Sequence, residues 1–172
     1  GTNGIQAMDL LGRKLGMNKG KPVMDLLGEM NRTISAAKAT AGLEDFAARF
    51  EKAVNKLGEV GMYMGATAMS PKVMSAFAAA HPFLEVTGDV VMAWMLLWRA
   101  TIAARHLEKA KKKDTAFYEG QIKSADYFIN AILPITTGKM IAILGGCSAA
   151  VEISEEAFGG KYGRDTDTID RR

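Results

Sequence analysis

Apolar residues along this chain recur at intervals of three and four, the spacing that puts side chains on one face of an α-helix. Strand-like alternation is almost absent. A first short helix is predicted over residues 6–15. Residues 16–21 interrupt it, with Gly16, Asn18 and Gly20 as turn formers. Pro22 suits the first turn of a second helix, whose stripe is Val23, Leu26, Leu27, Met30, Ile34 and Ala37, with Gly42 as a left-handed stop. A third helix from Leu43 carries Phe46, Phe50, Val54 and Leu57 on one side. Gly58, Gly61 and Gly65 follow, which reads equally as close approach of another backbone or as a weak helix end. Ser70-Pro71 has the form of a cap and first-position proline for a short connecting helix that His81-Pro82 should end.

A fourth helix is predicted over 82–111, with Val86, Val90, Ala93, Leu97, Thr101 and Ala104 facing inward. Trp94 and Trp98 stand four apart on a neighbouring face, the usual place for core or interface filler. Asp114 reads as the cap of a fifth helix whose stripe is Tyr118, Ile122, Ala125, Ile129 and Ile132. Pro134 should kink or interrupt it, because proline lacks the N–H and its ring crowds the preceding turn. The apolar pattern resumes at Met140 and runs to about Ile153, with Gly145-Gly146 inside it as a packing point. Residues 159–172 are glycine-rich and charged, and read as a flexible tail. Amphipathic helices joined by short breaks give an all-α fold, an antiparallel up-and-down helical bundle.

Composition narrows the chemistry. The chain's 172 residues are enough for one domain that hides roughly 70% of its unfolded surface. A net charge of +3, from 22 basic and 19 acidic residues, implies no particular partner. Cys147 has no second cysteine to pair with and reads as a buried structural thiol. His81 and His106 lie far apart, and neither completes the Glu-x-x-His pattern of a di-iron bundle, because Ala78 and Ala103 precede them by three. They read as a loop residue and a solvated helix residue, and no metal site is expected. No βαβ alternation or glycine-rich phosphate loop is present. The cluster Lys109, Lys111, Lys112 and Lys113 falls at a helix end, where cations suit the dipole; no nucleic-acid partner is expected. The most apolar run, 90–98, has nine residues between Asp89 and Arg99, short of the roughly 20 that cross a bilayer, so no membrane span is expected.

Three stretches carry a resemblance. The opening Gly1-Thr2-Asn3-Gly4-Ile5-Gln6-Ala7 resembles the phrase E-G-T-x-Q-I-Q of the flavin-dependent acyl-CoA dehydrogenases, entered one residue late. Residues 6–15 resemble the helix after the catalytic loop in the long bacterial subfamily that contains the methylmercaptopropionyl-CoA dehydrogenases. Phe117-Tyr118, Lys123, Ala125, Tyr127-Phe128 and Pro134 resemble the helical domain those enzymes add at their carboxyl terminus. Together the likeness covers most of residues 1–158.

The resemblance implies that residues 1–20 end a catalytic domain and that 21–158 form the extra helical bundle, a structural or assembly domain. The parent would be an FAD-dependent enzyme of fatty acid metabolism that oxidises acyl-CoA to enoyl-CoA. Its catalytic glutamate would precede Gly1, so no catalytic residue is expected within the chain. Gly1 would lie against the acyl-CoA, and Thr2, Asn3 and Gly4 against the FAD. The phrase's glutamine, two residues after the threonine, is replaced by Gly4, so any contact of that side chain is lost. The chain alone is expected to hold no FAD and to be inactive. Its expected partners are the rest of the dehydrogenase and neighbouring subunits, in a cytoplasmic homo-oligomer. A freestanding helical interaction module and a small-ligand bundle lined by Met and Trp are the alternatives. Ile5, Met8, Leu11 and Leu15 should need cover, from a second copy or by folding back.

Overall fold

The computed structural model describes residues 2–159; Gly1 and nearly all of the expected tail, 160–172, lie outside the described residues. The helices are α1 (Asn3–Asp9), α2 (Lys21–Lys38), α3 (Glu44–Ala68), α4 (Val73–Ala78), α5 (Ala80–Leu107), α6 (Lys112–Tyr127), α7 (Leu133–Leu144) and α8 (Ala149–Glu152). No strand occurs among the described residues. The expected all-α bundle is the observed one.

The spacing rule holds because each stripe found partners. Phe50, Val54 and Leu57 of α3 and Val86, Val90, Ala93 and Leu97 of α5 are buried in one core with Met30 and Ile34 of α2. Ala125 of α6, Ile129 of the segment that joins it to α7, and Leu133 and Met140 of α7 close it. Cross-helix contacts set the direction. Glu85 meets Lys139, Asp89 meets Thr136, Arg99 meets Gln121 and His106 stacks on Tyr118. Numbers rise on one side as they fall on the other, so α5 lies antiparallel to the whole α6–α7 run.

Pro134 leaves a local mark. A π-helical turn, Phe128–Ile132, joins α6 to α7, and the Leu133 N–H reaches back to the Phe128 carbonyl. A proline cannot donate to the carbonyl four residues earlier, and the widened turn absorbs the mismatch while the helix continues. A second π turn, Leu10–Lys14, extends α1. Asn18 and Lys19, at φ 48° and 58°, then join Gly20 in the left-handed region and turn the chain into α2.

Several boundaries differ from expectation. α1 begins at Asn3, three residues early. The Ser70 hydroxyl accepts the Lys72 N–H, but the helix starts only at Val73. Pro82 belongs to the first turn of α5, so His81 is a helical residue, with Nδ1 3.9 Å from Glu85. α6 starts after the extended Lys111, which places Asp114 inside the first turn rather than at the cap. Lys112 and Lys113 therefore sit at a helix start, which disfavours cations, and Asp114 partly offsets them. α7 ends at Leu144, and Gly146 at φ 62° turns the chain away. Gly145-Gly146 is thus a helix stop, and Cys147 is exposed beyond it rather than buried.

By length and composition alone, Ala80–Leu107 and the continuous Lys112–Leu144 run are long and apolar enough to cross a bilayer. Buried core helices meet the same criterion. The shortness of the 90–98 run is therefore no argument against a span. The burial of α5's inner stripe explains its apolarity within the bundle.

Candidate functional site

The opening residues form a helix start, not a loop. The Thr2 carbonyl accepts the Gln6 N–H at 3.0 Å, and Asn3 and Gly4 are the first helical residues. All three are exposed. The Thr2 side chain makes no capping hydrogen bond, and a Cβ on Gly4 would meet nothing within 4 Å. A hydroxyl, an amide and an open backbone can border a polar cofactor edge. They cannot enclose a dinucleotide. Gly1, the expected acyl-CoA contact, lies outside the described residues.

The rest of this segment is a packing element. Ala7 is fully buried and Leu11 5% exposed, while Ile5 and Met8 remain exposed at 72% and 47%. α1 lies against α5, so the amino-terminal helix has folded back onto its own bundle. Leu15 completes the contact: a Cβ on Gly61 would be 3.8 Å, and on Gly65 3.7 Å, from its methyl groups. The two glycines lie within the last two turns of α3, and a Cβ on either would meet Leu15 only at ordinary contact distance, so no close backbone approach is seen at them. Asp9 takes Arg13 Nε at 2.6 Å and Lys14 Nζ at 3.3 Å. The Arg13 hydrogen bond foremost holds the Asp9 carboxyl below its ordinary value and raises the guanidinium.

A second feature lies between α2 and α5. Trp94 donates from Nε1 to Thr33 Oγ1 at 2.8 Å, and Trp98 stacks on Trp94 with centroids 6.1 Å apart and planes 14° apart. These groups, with Ala36 and Thr101, line an open cleft of about 210 Å³, rimmed by Glu29 and Arg32. Sequence reading placed both tryptophans but missed Thr33, which stands 61 residues away. Among the described residues no group of three or more His, Cys, Asp or Glu converges in a way that could hold a metal.

An all-α bundle with a helical lead-in packed on its core defines the class, a helical domain. The comparisons with known proteins give its family. A model of the family described as "Acetyl-CoA dehydrogenase C-terminal like" matches residues 26–154, and the chain belongs to that family. It is 27% identical over 161 residues to a butyryl-CoA dehydrogenase of Syntrophomonas wolfei, covering 92% of this chain and 26% of that protein. It is 26% identical over 164 residues to a broad-specificity linear acyl-CoA dehydrogenase of Mycobacterium tuberculosis, covering 92% and 27%. Against a 3-methylmercaptopropionyl-CoA dehydrogenase of Ruegeria pomeroyi the identity is 30% over 141 residues, covering 77% and 22%. The chain spans about a quarter of the length of these relatives. The expected subfamily resemblance is therefore found.

Proposed function

We propose that this chain acts as the carboxyl-terminal helical domain of an FAD-dependent acyl-CoA dehydrogenase, stabilising or assembling an enzyme whose chemistry is done elsewhere. The observation that carries the reading is the family match along the bundle, 26–154. The parent would oxidise an acyl-CoA to the enoyl-CoA in the cytoplasm, as a homo-oligomer. Residues 1–20 would be the end of its catalytic body and 21–158 the bundle domain. The left-handed turn at Asn18, Lys19 and Gly20 supports a division there. Because Ala7 and Leu11 share the bundle's core, the junction would be packed rather than a loose linker. Gly1 would contact the acyl-CoA, and Thr2, Asn3 and Gly4 would border the flavin, which supplies the hydride acceptor when bound.

The purified chain should carry no flavin absorbance and should reduce no dye with butyryl-CoA. Near-equimolar flavin in the preparation, or turnover, would overturn the assignment of the chemistry to another part of the enzyme.

A further inference from the structure

α5 has two apolar faces. Its inner stripe fills the core, as a bundle helix requires. Its outer side carries Met92, Met95, Trp98 and Ile102, spaced three, three and four residues apart and so aligned along one face. Met92, Trp98 and Ile102 are 51%, 49% and 45% exposed. Contiguous exposed apolar side chains of this size mark a contact surface.

Trp98 is held in place for contact. One side stacks on Trp94, and Trp94 is pinned to α2 through Thr33. The cleft beside the pair offers almost no free polar group at its floor: Thr101 Oγ1 donates to the Leu97 carbonyl and Thr33 Oγ1 to the Glu29 carbonyl. A recess of about 210 Å³ with this lining suits one bulky apolar side chain rather than a hydrogen-bonding ligand.

The shoulders of the face are cationic. Arg99 and Arg105 lie along it, and neither meets a carboxylate among the described residues; Arg99 bonds the neutral Gln121 amide. Arg32 stands at the mouth of the cleft, paired with Glu29 in an ion pair exposed enough to rearrange at little cost. An apolar seam between unneutralised arginines is complementary to an apolar seam between carboxylates. A concave recess made for a single side chain fits a protein helix better than a flat bilayer.

We propose that the outer face of α5 is a docking surface for a helix of another protein body, apolar along one seam and carrying Asp or Glu on both shoulders. Trp98 is its anchor and the cleft receives one bulky seam residue, the helix-in-groove mode of recognition. The proposal goes beyond the domain's role in the enzyme and stands or falls separately from it.

The chain has two tryptophans, both at this surface, so its indole emission reads the site directly. The test titrates the full chain with two synthetic helices of about 18 residues, long enough to form a helix. Both share a leucine seam; one has Glu shoulders and the other Lys. Phosphatidylglycerol vesicles form a third arm. The Glu helix should shift the emission to the blue and bind about ten-fold or more tightly than the Lys helix. The doubly reversed variant R99E/R105E should invert that preference, and Trp98→Ala should weaken the Glu helix; circular dichroism of each variant shows that the bundle is still folded, although losing the Trp94 stack lowers the melting temperature of Trp98→Ala somewhat. No emission change with the Glu helix, equal binding of both helices, an unchanged preference in R99E/R105E, or a response to vesicles alone would each overturn the proposal.

Discussion

Gly146 and Tyr63 offer the sharpest check on the packing. Gly146 sits at φ 62°, and a Cβ built there would lie 2.6 Å from Tyr63 Oη, with the ring carbon behind it at 3.7 Å. Gly146→Ala therefore meets two costs. An L-residue in the left-handed region costs about 1–2 kcal/mol. Driving a methyl into a packed hydroxyl adds about 1–3 kcal/mol, because either the turn or the tyrosine must move. The total is about 2–5 kcal/mol. Tyr63→Phe removes the oxygen and leaves the methyl facing a carbon at ordinary contact distance. In that background Gly146→Ala should cost only the backbone term, about 1–2 kcal/mol. The double-mutant cycle should then show a coupling of about 1–3 kcal/mol, within the range for residues in direct contact. Urea unfolding followed together by far-ultraviolet circular dichroism and tryptophan emission gives the four stabilities. Equal costs for Gly146→Ala in both backgrounds would show that the hydroxyl does not sit against the turn, and the seating of the turn after α7 beside Tyr63 of α3 would be wrong.

Truncating Leu97 or Ile129, both buried to within 1%, to Ala should destabilise by about 2–5 kcal/mol each in the same assay, and wild-type-like unfolding of both would contradict a shared core. The Asp9 carboxyl, held down foremost by Arg13, has a folded pKa below its unfolded value, so the pair's contribution is present above the ordinary aspartate range and is lost as pH falls through the depressed value. Arg13→Gln should return Asp9 toward about 3.8 in a carbon-detected titration by magnetic resonance, and an unmoved titration would disprove the pairing.

Helix existence was written in the residues, because three- and four-residue spacing is a local property and each stripe needs only some apolar partner. Phe50, Val54, Val86, Val90, Leu97 and Ile129 were assigned inward on that ground and are buried, whereas Ile132, assigned with them, is only half-buried in the widened π turn. The family, too, was legible, from short phrases at both ends of the first helix and along α6. Boundaries were less so. Asp114 looks like a cap, yet the extended Lys111 starts the helix earlier, because the run of good helix formers before Asp114 can already take helical geometry. Gly145-Gly146 sits in an apolar pattern, yet a glycine that can adopt positive φ ends the helix and carries Cys147 out to solvent.

What spacing cannot encode is which stripe meets which. The seating of Leu15 against Gly61 and Gly65, the Trp94–Thr33 hydrogen bond, the Asp89–Thr136 contact and the fit of Tyr63 beside Gly146 all join residues far apart in sequence. Each depends on helix positions that only close packing of the whole core selects. The sequence determined that helices form, which faces are apolar and to which family the chain belongs; the tertiary structure decided which of those faces are spent inside the bundle, and left the outer side of α5 uncovered because one helix cannot bury two opposite stripes in a single core.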